Sequence, residues 1–159
     1  MKLTENFYLN EFTKSDVANH LGISNEPEDW QLVNIKNTCT HVLQPARNWL
    51  NKAIEITSGL RSDKLNKAIG GAKNSQHMKG EAADIRCFDN ISLFNFIKNE
   101  LQFDQLIAEH KIGDKIRWIH VSYKGIGNRN QVLIATKKGN KTVYLNYTDE
   151  LFKRIYSKN

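Results

Sequence analysis

The chain has 159 residues, 40% of them hydrophobic and 25% charged, which suits one domain with a sizeable core. No apolar run approaches the roughly 18 residues of a membrane span, and Glu5, Asn6, Asn10 and Glu11 interrupt any secretory signal at the N-terminus. A net charge of +6 favours polyanionic surroundings such as nucleic acid, an anionic cell-wall polymer or a membrane surface, without choosing among them.

Residues 1–25 read as an ordered lead-in. Phe7, Leu9 and Phe12 alternate as in an extended segment. Thr13-Lys14-Ser15-Asp16 then offers helix N-caps ahead of Val17, Ala18 and Leu21, with Gly22 as the stop. Asn25-Glu26-Pro27 is a turn or linker. Residues 28–53 carry the clearest helical pattern: Leu32, Ile35, Cys39, Val42, Leu43, Ala46, Trp49 and Leu50 recur at spacings of three and four. Pro45 falls inside this run and predicts a kink or a division. His41 reads as a surface or partly buried helical residue.

Ile54-Glu55-Ile56-Thr57-Ser58 alternates and is β-branched, so it predicts a strand ended by Gly59. A short helix follows, capped by Ser62 or Asp63, burying Leu65 and Ala68, and broken by Gly70-Gly71. Residues 74–84 read as a loop running into a strand, with Ala82, Ala83, Asp84, Ile85 and Cys87 small or apolar as in a central strand. A helix over 90–101 would be capped by Asn90 or Ser92 and bury Ile91, Leu93, Phe94, Phe96 and Ile97. Then come a strand over 104–109, a polar loop over 110–117 containing Gly113, and a strand over 118–123. A glycine-containing turn over 124–130 leads to a hairpin of 132–136 with 142–146, and Thr148-Asp149 caps a last helix containing Leu151, Phe152 and Ile155. Helices first, then strands mostly joined as antiparallel neighbours, predict one α+β domain over 1–159, its C-terminal hairpin and helix lying in 130–159.

The two cysteines, Cys39 and Cys87, have no metal-binding spacing and argue against a disulfide framework, so a metal here would be held by His and carboxylates. His77, Asp84 and His120 are the candidates for one zinc ion, leaving a fourth position to water as catalytic sites do. His77 and Asp84 lie too far apart for one helical face, but a loop and the strand leaving it can bring them together, with Gly80 turning tightly between them. A buried carboxylate needs a partner, so Asp84 is met by a metal or by Arg61 and backbone N–H groups. His120 lies on a strand with Trp118 and Ser122 on its face.

The pattern Ser75-x-His77-x-x-Gly80-x-Ala82-x-Asp84, followed by Trp118-Ile119-His120-Val121, resembles the zinc peptidases of the M15 family: D-alanyl-D-alanine carboxypeptidases and peptidoglycan endopeptidases of phage lysins. Thr57-Ser58-Gly59-Leu60-Arg61-Ser62 is similar to that family's Ser-Gly-Tyr-Arg-Ser segment, with Leu60 in place of the aromatic. The resemblance spans roughly residues 5–125. It implies a small antiparallel sheet flanked by helices, one zinc ion on His77, Asp84 and His120, Arg61 binding substrate and the developing oxyanion, and Ser75 near the substrate carboxylate. It also implies peptidoglycan peptides as substrate. A monomer acting on the cell wall, reached by phage-type release or as a virion component, fits the missing signal.

One position departs from the family pattern. Several members carry an acidic general base three residues before the last zinc histidine, where this chain has Arg117, which cannot accept a proton. Glu109 is the replacement candidate. If 104–109 and 118–123 pair antiparallel with Glu109 opposite Trp118, then Ile107 faces His120 and Glu109 shares its face. A one-residue slip would offer His110 instead, and Asp114 in the loop is a third option. A non-catalytic zinc-containing binding module of the same fold remains the alternative. A nucleic-acid-binding domain is disfavoured, because no recognition helix, aromatic RNA-binding motif or zinc knuckle is visible.

Overall fold

The computed structural model describes residues 1–156; residues 157–159, the end of the expected C-terminal segment, lie outside the described part. Five helices precede or flank the first strand in sequence: α1 (Leu9–Thr13), α2 (Asp16–Leu21), α3 (Asp29–Thr38), α4 (Gln44–Leu50) and, after β1 (Glu55–Ser58), α5 (Asp63–Ala68). Then follow β2 (Ala82–Arg86), α6 (Asn90–Glu100), β3 (Gln105–Ile112), β4 (Lys115–Ser122), β5 (Gln131–Lys138), β6 (Lys141–Asn146) and α7 (Asp149–Tyr156). The six strands form one sheet in the order β1-β2-β4-β3-β5-β6. Every neighbouring pair is antiparallel except β3 with β5, which is parallel.

The fold is the predicted α+β domain, and it departs from the sequence reading locally. The expected extended lead-in is helical at α1, where Glu11 reaches back to the Tyr8 N–H and closes a capping box. Ser15 caps α2 and left-handed Gly22 ends it, as the pattern predicted. The long helix is divided ahead of Pro45. Proline lacks an N–H and its ring collides with the carbonyl four residues back, and the chain widens there into a π turn, Cys39–Leu43, in which the Gln44 N–H reaches the Cys39 carbonyl. Asp89 caps α6, its carboxylate accepting from the Ser92 N–H, in place of the expected Asn90 or Ser92. Ala68 is exposed, and Asn66 takes the buried position beside Leu65. The polar loop expected over 110–117 is mostly hairpin, its turn reduced to Gly113-Asp114.

Alternation sorts the sheet into two faces. Ala83, Ile85, Leu106, Ala108, Ile119, Val121 and Ile134 point into the main core, where α3, α4, α6 and α7 cover them. Phe94 of α6 stacks on Phe152 of α7 at 5.2 Å between centroids, which fastens the last helix to the core. The intervening residues of the same strands point the other way. They include Asp84, Ile107, Glu109, His120, Leu133 and Ala135, and Ile107, Leu133 and Ala135 make a small apolar cluster of their own. That second face is the floor of the site.

Candidate metal centre

His77 sits in a 3-10 turn, Gln76–Lys79, between Ser75 and Gly80. Gly80 takes φ +69°, and a Cβ there would lie 2.7 Å from the Gln31 carbonyl oxygen. Only glycine makes this turn against α3 without strain. The His77 ring is buried, and its Nδ1–H donates to the Gly59 carbonyl at 2.7 Å. That bond fixes the tautomer and leaves Nε2 with its lone pair facing inward. Gly59 can hold this carbonyl in place because α1 packs onto it: a Cβ on Gly59 would fall 2.5 Å from Phe12 Cα.

Asp84 stands directly opposite His120 in the β2–β4 ladder, so the two side chains leave the same face together. Asp84 Oδ1 lies 3.0 Å from His120 Nδ1 and 3.3 Å from His77 Nε2, and the two ring nitrogens are 3.2 Å apart. One proton bridges one pair of these atoms and leaves the third facing a lone pair. A cation satisfies all three at once. Tetrahedral zinc with bonds of roughly 2.0–2.1 Å keeps its ligand atoms about 3.3 Å apart, so the triangle already has the dimensions the ion requires. Among the described residues this is the one cluster of three such groups close enough to share a metal.

The electrostatics agree. Burial pushes the His77 imidazole below its ordinary range, so it is neutral and able to ligate. Burial alone would raise the Asp84 carboxyl, but the adjoining His77 and His120 rings outweigh it and hold the group well below the usual carboxylate range. Arg61 secures the other oxygen, its Nη2–H donating to Asp84 Oδ2 at 2.9 Å while its Nε–H donates to Ser58 Oγ at 3.0 Å. Of the two sequence readings of Asp84, the Arg61 contact is present at Oδ2, and it leaves Oδ1 facing the two imidazoles, where a metal would be held. Two of the five guanidinium N–H groups are used in this way, and Arg61 also lines the site cavity.

That cavity encloses about 600 Å³ above the second sheet face. Glu109 lies within it, buried, in the register the pattern predicted: Glu109 opposite Trp118 and Ile107 opposite His120. Burial is the main cause that raises the Glu109 carboxyl to about 7, with the Asp84 charge adding to it and His120 opposing. Strict alternation would send His110 to the opposite face. Its backbone instead takes φ +50°, and both Glu109 and His110 line the cavity. The choice between them was therefore not a choice of register. Asp114 is not brought to the site; it stands in the hairpin turn beyond Ile112 and does not line the cavity. Arg117 is exposed, with its guanidinium over the Trp118 ring. Ser75 lines the cavity.

Several residues at the site carried no sequence signal. Gln105 and Gln131, joined at 2.7 Å across β3 and β5, line the cavity, as does Tyr144 of β6. Asp104 is fully buried below them and gathers Gln76 (2.7 Å), Lys124 (3.0 Å) and Arg129. It ties the His77 turn to the start of β3. An acid opening a strand and an arginine in a turn 25 residues on give no spacing to read. A larger groove of about 860 Å³, flanked by Trp30, Lys64 and Lys73, contains none of the converging groups, so size does not locate the chemistry.

A buried triangle of two imidazoles and a carboxylate, open to a cavity that also holds Glu109, has the donor set and the open side that metal-dependent hydrolase sites have. The chain belongs to the Peptidase M15 family, which matches it over residues 5–122. The M15 peptidases are zinc-dependent hydrolases, and the His77–Asp84–His120 cluster is compatible with that metal. No curated protein matches the chain. No described helix is long and apolar enough to cross a membrane.

Proposed function

We propose that this chain is a monomeric zinc peptidase that hydrolyses peptide bonds in bacterial peptidoglycan, with His77, Asp84 and His120 as the zinc ligands. The observation that carries the reading is the mutual contact of His77 Nε2, Asp84 Oδ1 and His120 Nδ1 on the floor of the Glu109 cavity. When bound, zinc supplies Lewis-acid chemistry: it acidifies water and polarises the scissile carbonyl.

The chain's own residues do the rest. Glu109 accepts the proton of the attacking water at its carboxylate and returns it to the leaving amine. A pKa of about 7 suits a group that must both take and give a proton near neutrality. Arg61 holds Asp84 through one edge and offers its remaining N–H groups to the oxyanion and to substrate. Ser75 contacts the substrate carboxylate. Ile107 and Leu133 exclude water beneath the bound peptide. The bond is that of a D-Ala-D-Ala carboxypeptidase or of a stem-peptide or cross-bridge endopeptidase, and the site of action is the wall, reached by phage-type release or from a virion.

The test is digestion of purified peptidoglycan by the zinc-loaded protein, with His120→Ala as control and products read by mass spectrometry. New fragments that vanish in the control establish the peptidase, and their masses name the bond. Bound zinc with no fragments from several wall chemistries would favour a non-catalytic binding module.

A further inference from the structure

The net charge of +6 is not spread over the surface. Lys111, Lys115 and Arg117 surround the turn between β3 and β4, and Lys137, Lys138 and Lys141 surround the turn between β5 and β6. All six are exposed, and none has a carboxylate within 4 Å among the described residues. Asp114 is the one acid between them. Taking these six cations and one acid from totals of 23 and 17 leaves 17 cations and 16 acids for the remainder, which is nearly neutral.

Topology puts the two clusters together. β3 and β5 run parallel and pair as far as Glu109 with Ala135, so their C-terminal ends leave the sheet on the same side. With strands about 4.8 Å apart, the four strands that carry the turns bring all six cations within about 20 Å. Neighbouring charges in such a group stand within about one Debye length at 0.1 M salt and act as one field. The field reaches the cavity: after burial, Lys137 and Arg117 are what hold the His110 imidazole below its ordinary range. Lys137, Lys138 and Lys141 lie beyond the residues that match the family, 5–122. Six like charges gathered around a single acid oppose compactness, and an anionic partner relieves that repulsion.

We propose that the two hairpin tips form a cationic rim that binds a phosphodiester-bearing polymer of the cell wall beside the cavity. The choice of polymer rests on the peptidoglycan reading above, because a polymer attached to that wall carries its phosphates next to the peptide substrate. The rim raises the concentration of enzyme at the wall, and the cavity performs the cleavage.

The test compares wild type with a variant carrying Lys111→Gln, Lys115→Gln, Lys138→Gln and Lys141→Gln, none of which lines the cavity. A second variant carries arginine at the same four positions. Sedimentation measures binding to intact walls and to walls stripped of phosphodiester polymer; double-stranded DNA and anionic phospholipid vesicles serve as rival polyanions. Six phosphate contacts give a log–log salt slope of about −4, so wild-type binding should weaken about 300-fold between 50 and 200 mM salt. The glutamine variant should bind intact walls at least about 10-fold more weakly at 50 mM, by the same counterion logic. The arginine variant should bind as wild type does, and stripped walls should hold all three equally poorly. Hydrolysis of a short soluble stem peptide should be unchanged, which shows that the variants are folded. Equal wall binding by wild type and the glutamine variant overturns the rim, as does tighter binding to DNA or vesicles than to intact walls. Loss of hydrolysis by wild type itself would sink the peptidase reading and leave the binding comparison intact.

Discussion

Glu109 is a carboxyl kept where its charge is expensive. Its pKa of about 7 in the fold stands above the ordinary 4.5, so the folded state holds this proton more tightly than the unfolded chain does. The group therefore favours the fold below pH 4.5, and that contribution is lost as pH rises through 7. The gap is worth about 3 kcal/mol. Metal-free Glu109→Gln should be more stable than wild type above pH 8 by about 2–3 kcal/mol, with the difference shrinking to nothing near pH 4. Urea unfolding at the two pH values checks this, and a difference that grows toward low pH would refute it. The same substitution should lower turnover by about 10²–10⁴ while zinc stays bound. Arg61 holds Asp84 and, in the proposed mechanism, also the oxyanion. Arg61→Ala should weaken zinc about 10–100-fold through the freed Asp84 oxygen, and should still lose about 10²–10³ in turnover when zinc is saturating. Zinc titration and saturated-zinc kinetics separate the two losses. Normal turnover at saturation would leave Arg61 as a support for Asp84 alone.

At the scale of elements, the site depends on three short pieces meeting at fixed heights. The 3-10 turn delivers His77, the β2–β4 ladder sets Asp84 against His120, and the β3–β4 ladder brings Glu109 two residues past Ile107. The β3–β4 register was one of two readable in advance, since period-two alternation admits few registers once one face must be apolar, but the pairing of β2 with β4 was not. The 3-10 turn was not, because its cause is α3, a segment more than 40 residues away that leaves no room beyond hydrogen at Gly80. Gly80→Ala meets both the positive φ and the Gln31 carbonyl, and should cost about 1–3 kcal/mol. A fall in thermal midpoint together with weaker zinc binding is expected. An unchanged midpoint would mean that the turn is free of α3.

For the molecule as a whole, the stretch that matches the family and the unit that folds are different lengths. Residues 5–122 carry all three ligand candidates and Glu109, yet β5 lies against β3 and supplies Leu133 and Ala135 to the floor of the site, while Phe152 and Tyr156 fill the core. A chain ended at residue 122 exposes the β3 edge and the face beneath α7. It should show no cooperative thermal transition and little near-ultraviolet circular dichroism. A cooperative transition in that fragment would show that the last two strands and α7 are an addition to a self-sufficient core.

The sequence by itself determined what depends on local pattern. Alternation marked β1, small and apolar residues marked β2, three-and-four spacing marked α3 and α4, and the chemistry of two imidazoles and a carboxylate around a glycine turn marked the metal candidates. Tertiary structure decided what depends on neighbours distant in the chain. His110 turned into the cavity through a positive φ that no residue type announces. Asp104 became a buried anchor by meeting Lys124 and Arg129 after the chain had doubled back. Six cations scattered over 111–141 became one rim because a parallel pairing set two hairpin tips side by side. Local propensity acts over a few residues, whereas burial and charge respond to every atom within several ångströms, whichever part of the chain it comes from.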